Sequence, residues 1–266
     1  MQRLAFLLSR RWGLFFLIVI LLTWLAVWLG QWQFDRLEDR RERNEIILRN
    51  EAMDPVPVET IMAVGEAVSD DEQWSIVKAR GTYVVEDSVY VRYRTHKGRS
   101  GVQVTVPLDL GNGTSLLVDR GWWATQNRGE VPTDVPAPPG GEVEIVGRVR
   151  IDATGDATKV TEQSTRAISS VQISEAIDRP LLGGFVELVE ETPDPEVSLK
   201  PIDEPEVDEG PHFFYGIQWW FFGALAVFGF FYLLYDEWRD RRDEPTADSE
   251  GAQDPTVDGE RHAVHE

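Results

Sequence analysis

Cysteine is missing from all 266 residues. Its absence excludes thiol redox chemistry, thiolate-bound copper or zinc, iron–sulfur clusters and thioether-linked haem. Histidine is nearly as scarce: His96, His212, His262 and His265 are the whole inventory. A multi-histidine metal centre therefore cannot be assembled within the folded part of one chain. Lysine is rare, and 46 acidic residues against 26 basic ones give a net charge of -20. Binding to nucleic acid or to an anionic lipid surface needs clustered cations, so neither is expected. Nor is there a Ser-His-Asp set, a glycine-rich phosphate loop or a framed pair of carboxylates. A membrane-tethered enzyme acting on envelope material would need an acid/base pair in the central segment, and no spacing supplies one; no catalysis is expected.

Charge is also absent from two long runs, Trp12 to Trp32 and Phe213 to Tyr235. Each exceeds the roughly 20 residues an α-helix needs to cross about 30 Å of hydrocarbon, so both are read as membrane spans. The core of the first, Leu14 to Leu29, is too long for a cleaved signal, and no small-residue cleavage site precedes Gln31, Trp32 and Gln33. The few residues ahead of it leave no room for a transit peptide, which points to a bacterial origin. Arg3, Arg10 and Arg11 before the first run and Arg239, Arg241 and Arg242 after the second favour cytoplasmic termini. Arg36, Arg40, Arg41, Arg43 and Arg49 on the other flank weigh against that orientation.

The chain is accordingly read as a cytoplasmic N-terminus (1–11), a first span (12–33), a helical extension (34–54) stopped by Pro55 and Pro57, an extracytoplasmic β-rich domain (55–190), an acidic linker (191–211), a second span (212–235) and a disordered acidic cytoplasmic tail (236–266). Val, Ile, Tyr and Thr mark strands at Trp74–Val85, Ser88–Thr95, Gly101–Leu110, Thr114–Trp122, Glu142–Arg150 and Phe185–Glu190. Alternation at Val102, Val104 and Val106, and at Val143 and Ile145, predicts sheets with one buried face. Asn112-Gly113 reads as a hairpin turn. A short helix is expected over Val171–Ile177, opened by Gln172 or Ser174, and an irregular loop over Thr125–Pro139. The fold class is an α+β membrane protein in which two transmembrane helices flank one small antiparallel β-barrel or sandwich.

The run Leu29-Gly30-Gln31-Trp32-Gln33-Phe34-Asp35-Arg36, followed by Arg43-Asn44, resembles the first-helix motif of the SURF1 family of cytochrome c oxidase assembly proteins. Further blocks match in order: Arg80-Gly81-Thr82-Tyr83, Gly101-Val102 with Pro107-Leu108, Val118-Asp119-Arg120-Gly121-Trp122, and His212-Phe213-Phe214-Tyr215-Gly216-Ile217-Gln218-Trp219-Trp220. The resemblance covers roughly residues 12 to 235. It implies a multi-pass bacterial plasma-membrane protein, with its domain on the outer side, that assists oxidase maturation and in some bacterial members binds haem a. The partners it implies are oxidase subunit I, the haem a synthesis machinery and membrane lipid. His96 sits in an unusual Tyr93-Arg94-Thr95-His96-Lys97 stretch and is not carried over.

Two crossings bring the exit of the first span to the depth of the entrance of the second. Gly30, Gln31, Gln33 and Arg36 are thereby expected to face His212, Tyr215, Gln218 and Trp219. One account is mutual hydrogen bonding of polar groups at the membrane boundary, with Trp, Tyr and His settling at headgroup level. The other makes His212 an axial ligand of haem iron. On that reading Gly216, Trp219 and Gly223 share its face, the glycines leave space for a porphyrin against Trp219, and Arg36 or Arg120 meets the propionates. For Arg120 the alternative is structural, packing on indole and pairing with Asp119 to finish a hairpin. Arg92, Arg94 and Arg99 either guide an anion or pair with neighbours. His262 and His265 are expected to be solvated.

Overall fold

A computed structural model describes residues 9–125 and 131–243. Three α-helices, α1 (Arg10–Glu51), α2 (Ser170–Ile177) and α3 (His212–Asp243), accompany eight strands: β1 (Val56–Pro57), β2 (Ile76–Tyr83), β3 (Val89–His96), β4 (Arg99–Asp109), β5 (Ser115–Ala124), β6 (Glu142–Arg150), β7 (Ser164–Thr165) and β8 (Phe185–Thr192). The chain divides into two compact units, one built from the segment up to Leu37 and from Gly210 onward, the other from Glu38–Glu209.

The first unit is a helix pair. A helix satisfies its own backbone hydrogen bonds, which is what an uncharged Leu, Phe and Trp run requires in hydrocarbon, and both helices are long and apolar enough to cross a membrane. Large side chains point outward along both, with Trp24 62% and Phe214 74% exposed. The pair runs antiparallel, since contacts climb one helix as they descend the other: Phe15 meets Phe230, Ala26 meets Gly223 and Phe34 meets Gly216. Helix α3 opens just after Pro211, whose carbonyl accepts from Tyr215 N–H. It continues to Asp243, so residues 236–243 are helical where a disordered tail was expected. Arg239 reaches back to Asp236 there, and Tyr235 packs on Trp238. The remainder of that tail, His262 and His265 included, lies outside the described residues.

The second unit is a closed barrel. Around it the strands run β2, β6, β8, β5, β4 and back to β2, where Thr82 pairs with Asp109 and Tyr83 with Leu108. The expectation of two membrane helices flanking a small β-barrel is met. All neighbours in the ring are antiparallel except β5 and β8, which run parallel after the chain has crossed through α2. Strand β6 keeps its expected limits. Alternate residues of the barrel strands fill the interior, with Val102, Leu108, Leu116, Val118 and Val186 at 0% exposure. A second small core forms where Val91 and Leu117 meet Ile168, Ile173 and Leu181 around α2. That helix is opened by Ser169, whose hydroxyl accepts from Gln172 N–H, and not by Gln172 or Ser174.

Two connections are more ordered than their composition suggests. The last turns of α1 are fastened to the linker by Arg41, which forks onto Glu209 at 2.9 and 3.1 Å, by an Arg40–Asp208 ion pair, and by Asn44 donating to the Asp208 carbonyl. The linker also buries Leu199 and exchanges backbone hydrogen bonds between Lys200 and Trp122, at 2.8 and 3.0 Å. Gly121 permits this: its φ of +125° suits glycine, and a Cβ there would stand 2.5 Å from the Lys200 carbonyl oxygen. Of the irregular loop expected over Thr125–Pro139, residues 126–130 lie outside the described set.

Candidate functional site

His212 opens α3, and Gln33 lies just past the end of its helical partner's uncharged run. The His212 Nδ1 and Gln33 Oε1 stand 2.8 Å apart. A carboxamide oxygen only accepts, so Nδ1 carries a proton, and in the neutral ring Nε2 then holds the lone pair. No partner for Nε2 is found among the described residues. This is the arrangement in which a histidine is held by one nitrogen and presents the other.

The remaining expected residues are distributed differently. Gln31 donates to Asp35 one turn on along its own helix, at 2.9 Å. Arg36 lies over the Trp32 ring at 5.9 Å, again within α1. Tyr215 and Gln218 are exposed, on the outside of the pair, and Trp219 is half-buried with its ring edge-on to Phe222 at 6.0 Å. Of this set the structure brings only Gln33 and His212 into contact across the helices.

The glycines do not leave a porphyrin-sized space between the helices. A Cβ on Gly216 would stand 2.8 Å from the Phe34 ring, and one on Gly30 would stand 2.2 Å from the Trp220 indole. Phe34 and Trp220 themselves pack at 4.9 Å between centroids. The glycines permit close helix approach, and two aromatic rings occupy the volume released. Trp220 packs on Gly30 and Phe34 along one edge of the interface and stays 46% exposed, while Trp219 is half-buried.

Arg120 belongs to the barrel. Its side chain is 1% exposed, ion-paired with Glu191 at 3.3 Å, and sits over the Tyr83 ring at 5.4 Å. It pairs with neither Asp119 nor an indole, because strand alternation turns residues 119 and 120 to opposite sides of the sheet. Burial together with the Glu191 carboxylate pushes the Tyr83 hydroxyl above its ordinary value.

A polar group that the sequence did not flag lies on the other side of β5. Asp119 is 1% exposed; one of its oxygens accepts from Gly121 N–H at 3.1 Å, and the other has no hydrogen-bond partner. Desolvation, then the Glu187 charge in the parallel register position beside it, push the Asp119 carboxyl up to about 8. Glu187 is raised too, by burial, although Arg150 holds it at 2.6 Å and in turn stacks over Trp74 at 3.8 Å. Among the described residues no cluster of three or more His, Asp or Glu is placed to hold a metal ion.

The sequence matches the SURF1 family over residues 20–224. The chain belongs to that family. Uncharacterized SURF1-like proteins of Mycobacterium bovis and Mycobacterium tuberculosis are each 33% identical to it over 250 residues, covering 92% of this chain and 91% of the relative. The matched range of this SURF1 chain contains both halves of the Gln33–His212 contact and the whole barrel.

Proposed function

We propose that this SURF1 protein is an assembly factor for haem-copper cytochrome c oxidase that binds haem a transiently through His212 and aids its transfer to subunit I. The observation that carries the reading is the Gln33–His212 bond, which holds the ring by Nδ1 and leaves Nε2 for a ligand in the neutral form. Neutral imidazole held in this way is a competent axial ligand. When bound, haem would supply the cargo and its spectrum; the chain's part is to hold and release it. Because Phe34 and Trp220 pack against the interface glycines, the aromatic surface available to a porphyrin is the outer one, Tyr215 with the accessible part of half-buried Trp219 on α3. Arg36 is exposed at that level and is the cation placed for a propionate, whereas Arg120 is buried in the barrel with Glu191. The same reading sets the protein in the bacterial cell membrane with both termini cytoplasmic and the barrel outside, in contact with subunit I, the haem a synthesis machinery and lipid. It assigns no catalytic step to the chain.

The test is the absorbance of the full-length protein purified from cells that make haem a. Wild type is expected to carry a Soret band, His212→Ala to lose it, and Gln33→Leu to keep a weaker or shifted one because the ring is no longer held. A band unchanged in His212→Ala removes the ligand assignment. A second reading is favoured by the packing itself: Phe34 and Trp220 make the helix pair a closed unit, as suits a structural chaperone that steadies an oxidase subunit without haem. No Soret band in any variant, with oxidase assembly still dependent on the protein, would select it.

A further inference from the structure

The hairpin of β3 and β4 combines three features that the haem reading leaves unused. Strand β7 covers β3 only at Tyr90 and Val91, so among the described residues the outer edge of 92–96 has no neighbouring strand. That segment and its turn carry Arg92, Arg94, Lys97 and Arg99 with no acid, in a chain whose net charge is -20. Elsewhere in the domain Arg80, Arg148, Arg150 and Arg179 each meet a carboxylate. On the hairpin, Arg94 is part-buried and feels the charge of Asp119, while no ion pair to the exposed Lys97 or Arg99 is found among the described residues. The tip's one acidic neighbour among them is Asp203 of the linker, 3.6 Å from His96. Third, a bulge between Val91 and Arg94 turns Tyr93 to a φ of +63°, in the left-handed region that non-glycine residues seldom occupy. Its ring is 52% exposed, with the guanidinium groups of Arg92 and Arg166 each 5.7 Å from its centroid.

We propose that this edge docks an extended acidic segment of a protein partner, which adds as a strand beside residues 92–96 with its carboxylates on the hairpin cations and one side chain against Tyr93. An open edge offers a row of main-chain donors and acceptors that match a peptide. A lipid headgroup uses only the charges, so the edge favours a peptide. Cations and a bulge also guard an edge against pairing with its own kind; an edge so guarded admits a strand of opposite charge. Backbone outliers of this type persist where surrounding structure holds them and cluster at recognition sites. The inference deepens the assembly reading in needing a protein partner, and it is independent of haem.

The full-length protein in zwitterionic nanodiscs is titrated with a fluorescent peptide of about eight residues alternating Glu and Val, with a Lys-Val peptide as control. The acidic peptide is expected to bind, more weakly as salt rises, and to slow amide exchange across residues 92–96. Lys97→Glu combined with Arg99→Glu, and Arg166→Glu alone as a variant outside the hairpin, are expected to weaken it, the double variant by about tenfold or more. No binding, binding indifferent to these reversals, or protection elsewhere than at the edge overturns the proposal. Protection of 92–96 induced by phosphatidylglycerol nanodiscs without peptide would assign the edge to headgroups and overturn it too. A Soret band recorded on the same samples keeps the two readings apart: it reports on His212 whatever the peptide does.

Discussion

The helix pair and the barrel solve opposite problems with the same elements. In the pair, apolar side chains face outward and glycines let the helices approach closely, with the polar contact of Gln33 and His212 joining the two. In the barrel, apolar side chains face inward and charged groups are buried alongside them: Arg120 with Glu191, Arg150 with Glu187, and Asp119 with an oxygen unpartnered. A helix in hydrocarbon gains little by hiding Leu from lipid, so close packing must hold it. A domain in water gains about 25 cal/mol for each Å² of apolar surface buried, and that surplus tolerates a few ill-solvated charges.

The largest effect that separates the two regions is therefore one of pH. Asp119 rests at about 8 in the folded domain against an ordinary 3.8. Between those values the unfolded chain has released a proton that the folded domain keeps, so stability falls as pH rises through the window and levels off above about 8. Glu187, also raised, adds to the slope with the same sign. Asp119→Asn is expected to flatten most of it, to raise stability at pH 8 relative to wild type by an amount on the order of several kcal/mol, and so to raise the thermal midpoint there. Circular dichroism melts of the full chain from pH 5 to 9 measure it. A slope equal to wild type's would show that the charge is accommodated by movement of the sheet, and the contrast with the helix pair would weaken.

The second effect belongs to the pair. Gly216→Val adds a Cβ that would stand 2.8 Å from the Phe34 ring, which forces the helices apart or the ring out of place, at about 1–3 kcal/mol. The emission of Trp220, which packs on Phe34, is expected to shift and the Soret band to weaken, while the barrel's pH profile is unchanged. A variant with normal emission would mean that Phe34 swings aside freely and that packing at this level is loose.

How much of this was legible in the sequence follows from how local each signal is. Strand β6 alternates cleanly between Gly141 and Ile151, and its limits were readable; so were the helix-pair runs, whose signal is simple loss of charge. The parallel partnership of β5 and β8 was not readable, because it joins residues as far apart as Val118 and Val186 and leaves no mark on either. The Pro, Asp and Glu content of 191–211 reads as an acidic linker and does not show that Leu199 and Lys200 pin it, a two-residue signal lost in the average. Lys97-Gly98 was passed over as a turn, although both have positive φ and join β3 to β4 in two residues, because lysine there is uncommon. At the site, topology placed Gln33 opposite His212. It did not reveal that Phe34 and Trp220 pack against Gly216 and Gly30, since which side chains meet each glycine depends on the rotation of α3 against α1.

The smallest effect tests whether the barrel's stability is assembled from local pieces. Ser169 caps α2 by accepting from Gln172 N–H, and α2 covers the second core through Ile173 at 0% exposure. Ser169→Ala removes the cap without touching either core and is expected to cost about 1 kcal/mol, read as a lower denaturant midpoint at unchanged slope. If the second core depends on α2, amide exchange will quicken at Leu117 and Leu181 together while Val102 and Val118, inside the barrel, stay protected. Equal quickening at all four would show that the two cores open as one unit.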